Sequence, residues 1–301
     1  MNKELDIKPS YRCNNACVFC LNKDKKICEN PSLEELKKHI SNLIKATNGN
    51  KQSKLVVSGG EPLIFKELFE LLSFAKNAGV NTIEIQTNGR MLYYEEVVKE
   101  LKKFEPIGFL VSFQFPNAKL YKKYSRTDGF YQTVKGIKNL VKYDCHFTIN
   151  TVVMKPNLPH LKNVMKFLKK LGAKRYQYRF IDGKNVMENY KKFVPRYKKC
   201  LPTLKNIIKD NPDISISLKE FPVCVVGEKF KNNLAPGFNP TRLNLTTKNA
   251  IVTTKEIVAA QFIFPNCKGC LWKPSCNSVR KEYVKIYGRK EFKPIINRIK
   301  K

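Results

Sequence analysis

The sequence predicts an α/β fold: a partial (β/α)6 TIM-like barrel with a small C-terminal Cys-rich module. Two observations carry this. Over the first two-thirds of the 301 residues, six short strand-like segments alternate with helical patterns. From about Asp182 that rhythm stops, and a group of cysteines follows instead.

The strands are expected at Leu5–Pro9, Lys54–Ser58, Thr82–Gln86, Gly108–Phe113, His146–Val153 and Arg175–Phe180, most of them rich in β-branched and aromatic residues. The first helix, Leu33–Lys45, opens after Ser32 with Glu35 three residues on, a capping box. Leu68–Asn77 stops at Ala78-Gly79. Glu95–Phe104, Tyr131–Tyr143 and Leu161–Leu171 complete the set, the last stopped by Gly172. A helix between each pair of strands demands parallel βα units, with a doubly wound open sheet as the alternative to a barrel. Beyond the expected boundary between domains 1–182 and 183–301 come a helix, Arg196–Lys209, and a strand-like run, Ile214–Leu218. A hairpin is expected over Leu243–Val258, turning near Lys248-Asn249.

The formal net charge is +32, from 57 Lys+Arg against 25 Asp+Glu. An anionic partner such as nucleic acid would fit that sign. Yet only 10 of the 57 are Arg, and the Lys are spread along the whole chain. Readers of nucleic acid cluster Arg for bidentate contacts, so a nucleic-acid partner is left open but not favoured. The first residues are charged and carry no signal region. The longest apolar stretch, around Ile257–Phe264, is far short of the roughly 20 residues of a membrane span. A cytoplasmic protein without membrane contact is expected.

Ten cysteines are too many for incidental use in such a chain, and a disulfide framework belongs to small secreted domains. Seven fall into two groups, Cys13/Cys17/Cys20 and Cys267/Cys270/Cys276 with Cys224. Cys28, Cys145 and Cys200 stand apart and read as small hydrophobes or incidental thiols. The first group, Cys13-Asn14-Asn15-Ala16-Cys17-Val18-Phe19-Cys20, lies on the loop after the first strand. Three thiolates so close in sequence can wrap a cubane and leave one of its four irons open for reaction. A zinc knuckle is the other reading, but zinc sites usually pair two such hooks or recruit His, and none lies nearby.

CxxxCxxC with Phe19 before the third cysteine resembles the signature of radical S-adenosylmethionine (SAM) enzymes. The resemblance implies that Cys13, Cys17 and Cys20 hold a 4Fe–4S cluster whose open iron chelates SAM. One electron then cleaves SAM and releases a 5′-deoxyadenosyl radical that abstracts hydrogen from substrate. It implies further that Phe19 lies against the adenine. Gly59-Gly60-Glu61-Pro62, after the second strand, is similar to the family's GGEP segment and would bind the methionyl amine. Its glycines permit close approach to a ligand, and its carboxylate can accept from an ammonium group. Thr87-Asn88-Gly89, after the third strand, resembles the TNG segment beside SAM. Ser112 and Gln114 take the place of the family's ribose-side segment, and Arg126 that of an arginine at the SAM carboxylate, though Thr127 follows where Gly is usual. Asn150 and Val152–Val153 would line the adenine. Each segment alone is weak, but they come in order, each at the carboxyl end of a successive strand, where barrel enzymes keep their active sites.

Cys267-Lys268-Gly269-Cys270, with Cys276 six residues on, resembles part of the SPASM and twitch extensions, which carry auxiliary Fe–S clusters. The full pattern has another cysteine after the third, where this chain has Arg280. One auxiliary 4Fe–4S cluster on Cys224, Cys267, Cys270 and Cys276 is the expectation, with structural zinc on the same four the alternative. The likeness implies modification of a peptide or protein side chain, or maturation of a cofactor or enzyme, with a reducing electron donor such as ferredoxin or flavodoxin. Two other classes stay open: a tRNA- or nucleotide-modifying member of the same family, and a non-catalytic Fe–S or zinc protein.

Overall fold

The computed structural model describes residues 3–23, 29–47, 53–235, 242–247, 250–252, 261–262, 265–273, 276 and 279–296. Its main sheet has nine strands: β1 (Lys3–Ile7), β2 (Ser53–Val57), β3 (Thr82–Thr87), β4 (Ile107–Ser112), β5 (His146–Val153), β6 (Arg175–Phe180), β7 (Ser215–Lys219), β8 (Arg242–Thr247) and β9 (Ala250–Val252). They run in the order β7-β6-β5-β4-β3-β2-β1-β8-β9, and every pairing except β8–β9 is parallel. The helices between the parallel strands are α1 (Leu33–Thr47), α2 (Leu68–Asn77), α3 (Glu95–Lys102), α4 (Ala118–Ser125), α5 (Phe130–Lys142) and α6 (Leu161–Lys170). After β6 come α7 (Tyr190–Phe193), α8 (Tyr197–Lys209) and, after β7, the short α9 (Val223–Val226).

The six expected strands all form, β5 and β6 over the expected residues. The capping box closes both ways at α1: Ser32 N–H donates to Glu35 (2.7 Å) and Glu35 N–H to Ser32 Oγ (3.2 Å). Three features go beyond the expectation. The run after α8 becomes β7 and joins the main sheet beside β6. The expected hairpin forms as β8–β9, but β8 pairs with β1, so the sheet continues across residue 182. The Lys248-Asn249 turn lies outside the described residues, as does Cys28. An unexpected helix, α4, follows β4; its N-cap Asn117 accepts from Leu120 N–H (2.9 Å).

Register sorts the sheet into two unlike faces. Ile7, Val57, Ile85, Phe109 and Phe147 form one row across five strands, all buried. Against this face α1 packs Leu36, Ile40 and Leu43, α2 packs Leu71 and Leu72, and α6 packs Val164 and Leu168, in one continuous core. The opposite face carries Ser112, Asn150, Gln177 and Ser217 in one row and Val152, Arg179 and Lys219 in the next. Parallel sheets covered by helices on both sides read as unbroken apolar runs. Here burial alternates along β3, β4 and β6, so only one face is covered. The polar inner face is held by its own side chains: Lys54 pairs with Glu84 (2.7 Å), and Gln177 donates to Asn150 (3.1 Å).

Among the described residues, no helix is long and apolar enough to cross a membrane.

Candidate active site at the carboxyl ends of the strands

The loop that leaves β1 carries Cys13, Cys17 and Cys20, and three other loops rivet it in place. From β2, Gly60 N–H donates to Ser10 carbonyl and Glu61 N–H to Arg12 carbonyl, both at 2.8 Å. The approach is so close that a Cβ on Gly60 would stand 1.9 Å from the Arg12 oxygen. Gly59 holds φ +112°, open only to glycine. From α4, the carbonyls of Ser125 and Tyr124 accept from Ala16 N–H (2.9 Å) and Val18 N–H (3.0 Å). From β3, Arg90 donates to the Asn14 carbonyl and to Asn15 Oδ1. Asn88 Nδ2 donates to Asn14 Oδ1 (2.6 Å).

Glu61 is the pivot. Its side chain is 1% exposed. Oε1 accepts from Thr87 Oγ1 (2.6 Å) and Leu63 N–H (3.1 Å), and Oε2 from Asn88 N–H (2.7 Å). Burial pushes its carboxyl above the ordinary range, and the three donors only partly offset this. The glycines and the carboxylate therefore serve first to lock the loops after β1, β2 and β3 together. Pro62 is buried and opens the turn Pro62–Ile64. Gly89 bends at φ +79°, where a Cβ would strike Val111 at 2.9 Å.

The thiols meet donors. Asn15 N–H points to Cys13 Sγ and Asn22 N–H to Cys20 Sγ, both at 3.4 Å, with Asn88 Nδ2 at 3.8 Å from Cys13. Burial raises the Cys13 thiol above its usual range, partly countered by Asn15. N–H donors on half-buried sulfur suit thiolates that bind metal, so this donor set fits an iron–sulfur cluster. Phe19 lies half-buried against the core. Ser112, the last residue of β4, is half-buried. Gln114 is buried and turned to its own chain, accepting from Val152 N–H at 2.7 Å. Arg126 is exposed, in the left-handed conformation at the end of α4. Asn150 is tied to Gln177 as described.

The second cysteine group comes from three segments. Cys224 lies on α9, Cys267 and Cys270 on the turn Pro265–Gly269 and its end, and Cys276 beyond. The Cys224 thiol is pushed up to about 11, by burial first and then by Cys276, Cys267 and Cys270 nearby; a Lys293 backbone N–H opposes this. Leu271 N–H donates to the Ile295 carbonyl (2.9 Å), so the C-terminal tail ties this region down. Among the described residues, no three Cys, His, Asp or Glu side chains are gathered as a site for a single ion. Cys145 and Cys200 are buried thiols, raised by burial to about 11 and about 12, in keeping with a packing role.

Sequence reasoning missed several residues that shape this site. Asn14 and Asn15 stand inside the cysteine motif, and Arg90 directly follows Thr87-Asn88-Gly89, so position in the motifs was a usable signal. Asn185, which also reaches the cysteine loop, had none.

The sequence profile of the radical SAM superfamily matches residues 7–168, more than half of the 301-residue chain. The chain belongs to the radical SAM superfamily. This superfamily's members depend on S-adenosylmethionine and a 4Fe–4S cluster. The chain is similar to the AdoMet-dependent heme synthase of Methanosarcina barkeri, 31% identical over 170 residues, 56% of this chain and 48% of that protein. It is also similar to a probable GTP 3′,8-cyclase of Methanocaldococcus jannaschii, 27% identical over 214 residues, 70% of this chain and 67% of that protein. The match thus spans about half of the first relative. The structure of native anSMEcpe with bound AdoMet and Cp18Cys peptide superposes with a TM-score of 0.70 at 18% identity, over 97% of this chain and 92% of that one. At that identity the likeness shows a shared fold.

Proposed function

We propose that this radical SAM protein cleaves S-adenosylmethionine reductively at a 4Fe–4S cluster held by Cys13, Cys17 and Cys20, and acts on a peptide or protein side chain or in maturing a cofactor or enzyme. The observation that supports it most is the lock built by Glu61, which draws the cysteine loop, Gly59–Pro62 and Thr87–Gly89 into one site. When bound, the cluster and SAM supply the electron transfer and the carbon-centred radical that starts the chemistry. The chain's own residues bind, orient and exclude water. Phe19 offers a face for the adenine. Asn88 is shared between Cys13 and Asn14, and so sets the cysteine loop against the amine side. Of Ser112 and Gln114, Ser112 is the better ribose partner, because the Gln114 carbonyl is engaged with Val152. Arg126, exposed at the end of α4, is the partner proposed for the SAM carboxylate.

Cys224, Cys267, Cys270 and Cys276 are proposed to hold one auxiliary 4Fe–4S cluster. Four cysteines in this spacing, with no His among them, support that reading. The auxiliary region, together with the peptide-bound neighbour in fold, supports a peptide-like substrate. A nucleotide substrate is the second reading, supported by the +32 charge and the likeness to a probable GTP cyclase. Retention on RNA that weakens steeply with salt would favour it. A cytoplasmic setting and a low-potential donor such as ferredoxin or flavodoxin complete the proposal.

The test is anaerobic reconstitution. The reduced protein is expected to form 5′-deoxyadenosine from SAM and to carry two cubanes' worth of iron. Cys13→Ala, Cys17→Ala and Cys20→Ala should each abolish 5′-deoxyadenosine while keeping the C-terminal iron. Wild type with its cluster confirmed and no 5′-deoxyadenosine defeats the enzymatic reading. One zinc per chain beside a single cubane defeats the auxiliary cluster.

A further inference from the structure

The segment between β6 and α7 lies outside the SAM site, yet it reaches both the Cys20 end of the cluster loop and Arg280, four residues past Cys276. It turns at Gly183, where a Cβ would stand 2.0 Å from the Tyr190 ring, so the bend is packed hard against α7. Two residues on, Asn185 Nδ2 donates to the carbonyls of Cys20 (2.9 Å) and Leu21 (2.6 Å). These are contacts across more than 160 residues of sequence.

Asp182 anchors the near end. One oxygen accepts from Lys184 N–H (3.1 Å), which shapes the turn. The other pairs with Arg280 at 3.1 Å, and the Asp182 side chain is only 11% exposed. Arg280 closes a two-stranded ribbon, β10 (Gln261–Phe262) with β11 (Val279–Arg280), and is the N-cap of the C-terminal helix Lys281–Tyr287. It lies four positions after Cys276, where the SPASM pattern would place another cysteine. Its guanidinium also reaches Glu220 (3.8 Å), which in turn meets Arg179 (3.6 Å) on the polar inner face of the sheet. Glu220 holds φ +63° just before α9 and Cys224. A carboxylate this sheltered is costly to leave without its cation, so the Arg280–Asp182 contact fixes where the C-terminal region meets the barrel.

We propose that Arg280, Asp182 and Asn185 form a positioning relay through which the C-terminal cysteine region sets the conformation of the Cys20 end of the cluster loop. Arg280 occupies a position that could have served metal binding and docks the region onto Asp182. Asp182 shapes the turn that presents Asn185. Asn185 fixes the backbone of Cys20 and Leu21 through two hydrogen bonds. This rests on the assignment of Cys20 as a cluster ligand. None of the three residues touches the reacting atoms.

The test uses the full-length, anaerobically reconstituted protein. Its readouts are the electron paramagnetic resonance (EPR) change of the reduced cluster during SAM titration and the half-life of its iron against bathophenanthroline. Asn185→Ala and Arg280→Gln are each expected to raise the SAM midpoint about tenfold, the effect of losing the two neutral amide–carbonyl bonds of Asn185 or the one charged contact of Arg280, and to shorten the iron half-life. Because the relay is serial, the double variant should be no worse than the more severe single one. Additive effects in the double variant overturn the relay, as does an Arg280→Gln protein indistinguishable from wild type. If Arg280→Gln does not fold, Asp182→Asn paired with Asn185→Ala gives the same cycle. A wild type with no SAM-dependent EPR change sinks the underlying reading instead; a responsive wild type whose variants titrate with SAM at the same midpoint sinks the relay alone.

Discussion

Gly60→Ala should leave a folded protein that binds SAM about 100-fold more weakly, if it holds the N-terminal cluster at all. The added Cβ would lie 1.9 Å from the Arg12 oxygen and 2.6 Å from two backbone carbons, at Arg12 and Tyr11. These are main-chain atoms, so no rotamer change relieves the overlap. Relief needs a separation of about 1 Å between the cysteine loop and the loop after β2, and a misplacement of that size is worth about two orders of magnitude where reacting groups must be aligned. It would also break the bonds from Gly60 N–H to Ser10 and Glu61 N–H to Arg12, both 2.8 Å long. The sheet and its helices should survive, since the apolar core lies on the other face. Gly79→Ala is the control: φ is +92° there, and a Cβ would meet nothing within 4 Å. It should cost about 1–2 kcal/mol of stability through left-handed strain and leave SAM binding intact. Iron content, the EPR response to SAM and thermal melting measure both variants. Equal SAM affinity in Gly60→Ala and wild type would show that the two loops can part without consequence.

The alternation of strand and helix patterns in the sequence was enough to place the first six strands, because β-branched runs bounded by turns report local structure. Partner choice was not local. Ile214–Leu218 and the hairpin after Leu243 read as strands, but nothing in them says that β7 joins β6 or that β8 lies against β1. Helix α4 was missed because AKLYKKYS has too few apolar residues to show a period; among its buried residues are only Tyr121 and Ser125. The motif glycines were legible as close-approach positions, though the close approach turned out to be to the chain's own Arg12. Glu61 stood out in its motif, and its partners did not. Its three bonds come from Leu63, Thr87 and Asn88, and a sequence does not show which donors will surround a carboxylate after folding. Asn185 is the extreme case, since its partners lie more than 160 residues earlier in the chain.

Glu61→Gln is expected to lower the melting temperature by about 2–12 °C and to disturb the cysteine loop, although it changes one heavy atom. Oε1 already serves two donors, Thr87 Oγ1 and Leu63 N–H, so the glutamine carbonyl belongs there. That leaves its amide facing Asn88 N–H, a donor against a donor in a fully buried place. Turning the amide over is worse: it faces Leu63 N–H and the Thr87 hydroxyl, which already accepts from Gly89 N–H (2.9 Å). One buried unsatisfied donor costs about 1–3 kcal/mol, and each kcal/mol moves the melting point of a chain this size by about 2–4 °C. The displaced Asn88 is the residue that reaches both Cys13 Sγ and Asn14, so the SAM-dependent EPR change should weaken together with stability. The pH dependence carries a sign. Burial holds the folded pKa of Glu61 above its unfolded value, so the native state keeps the proton longer. Its contribution is then fully present below the ordinary glutamate range and is lost as pH rises through the raised folded value. Glutamine does not titrate, so the stability difference between wild type and Glu61→Gln should be largest in acid and shrink as pH rises. A difference that grows with pH would mean that the three donors outweigh burial, and that Glu61 holds the loops as an anion favoured by its site.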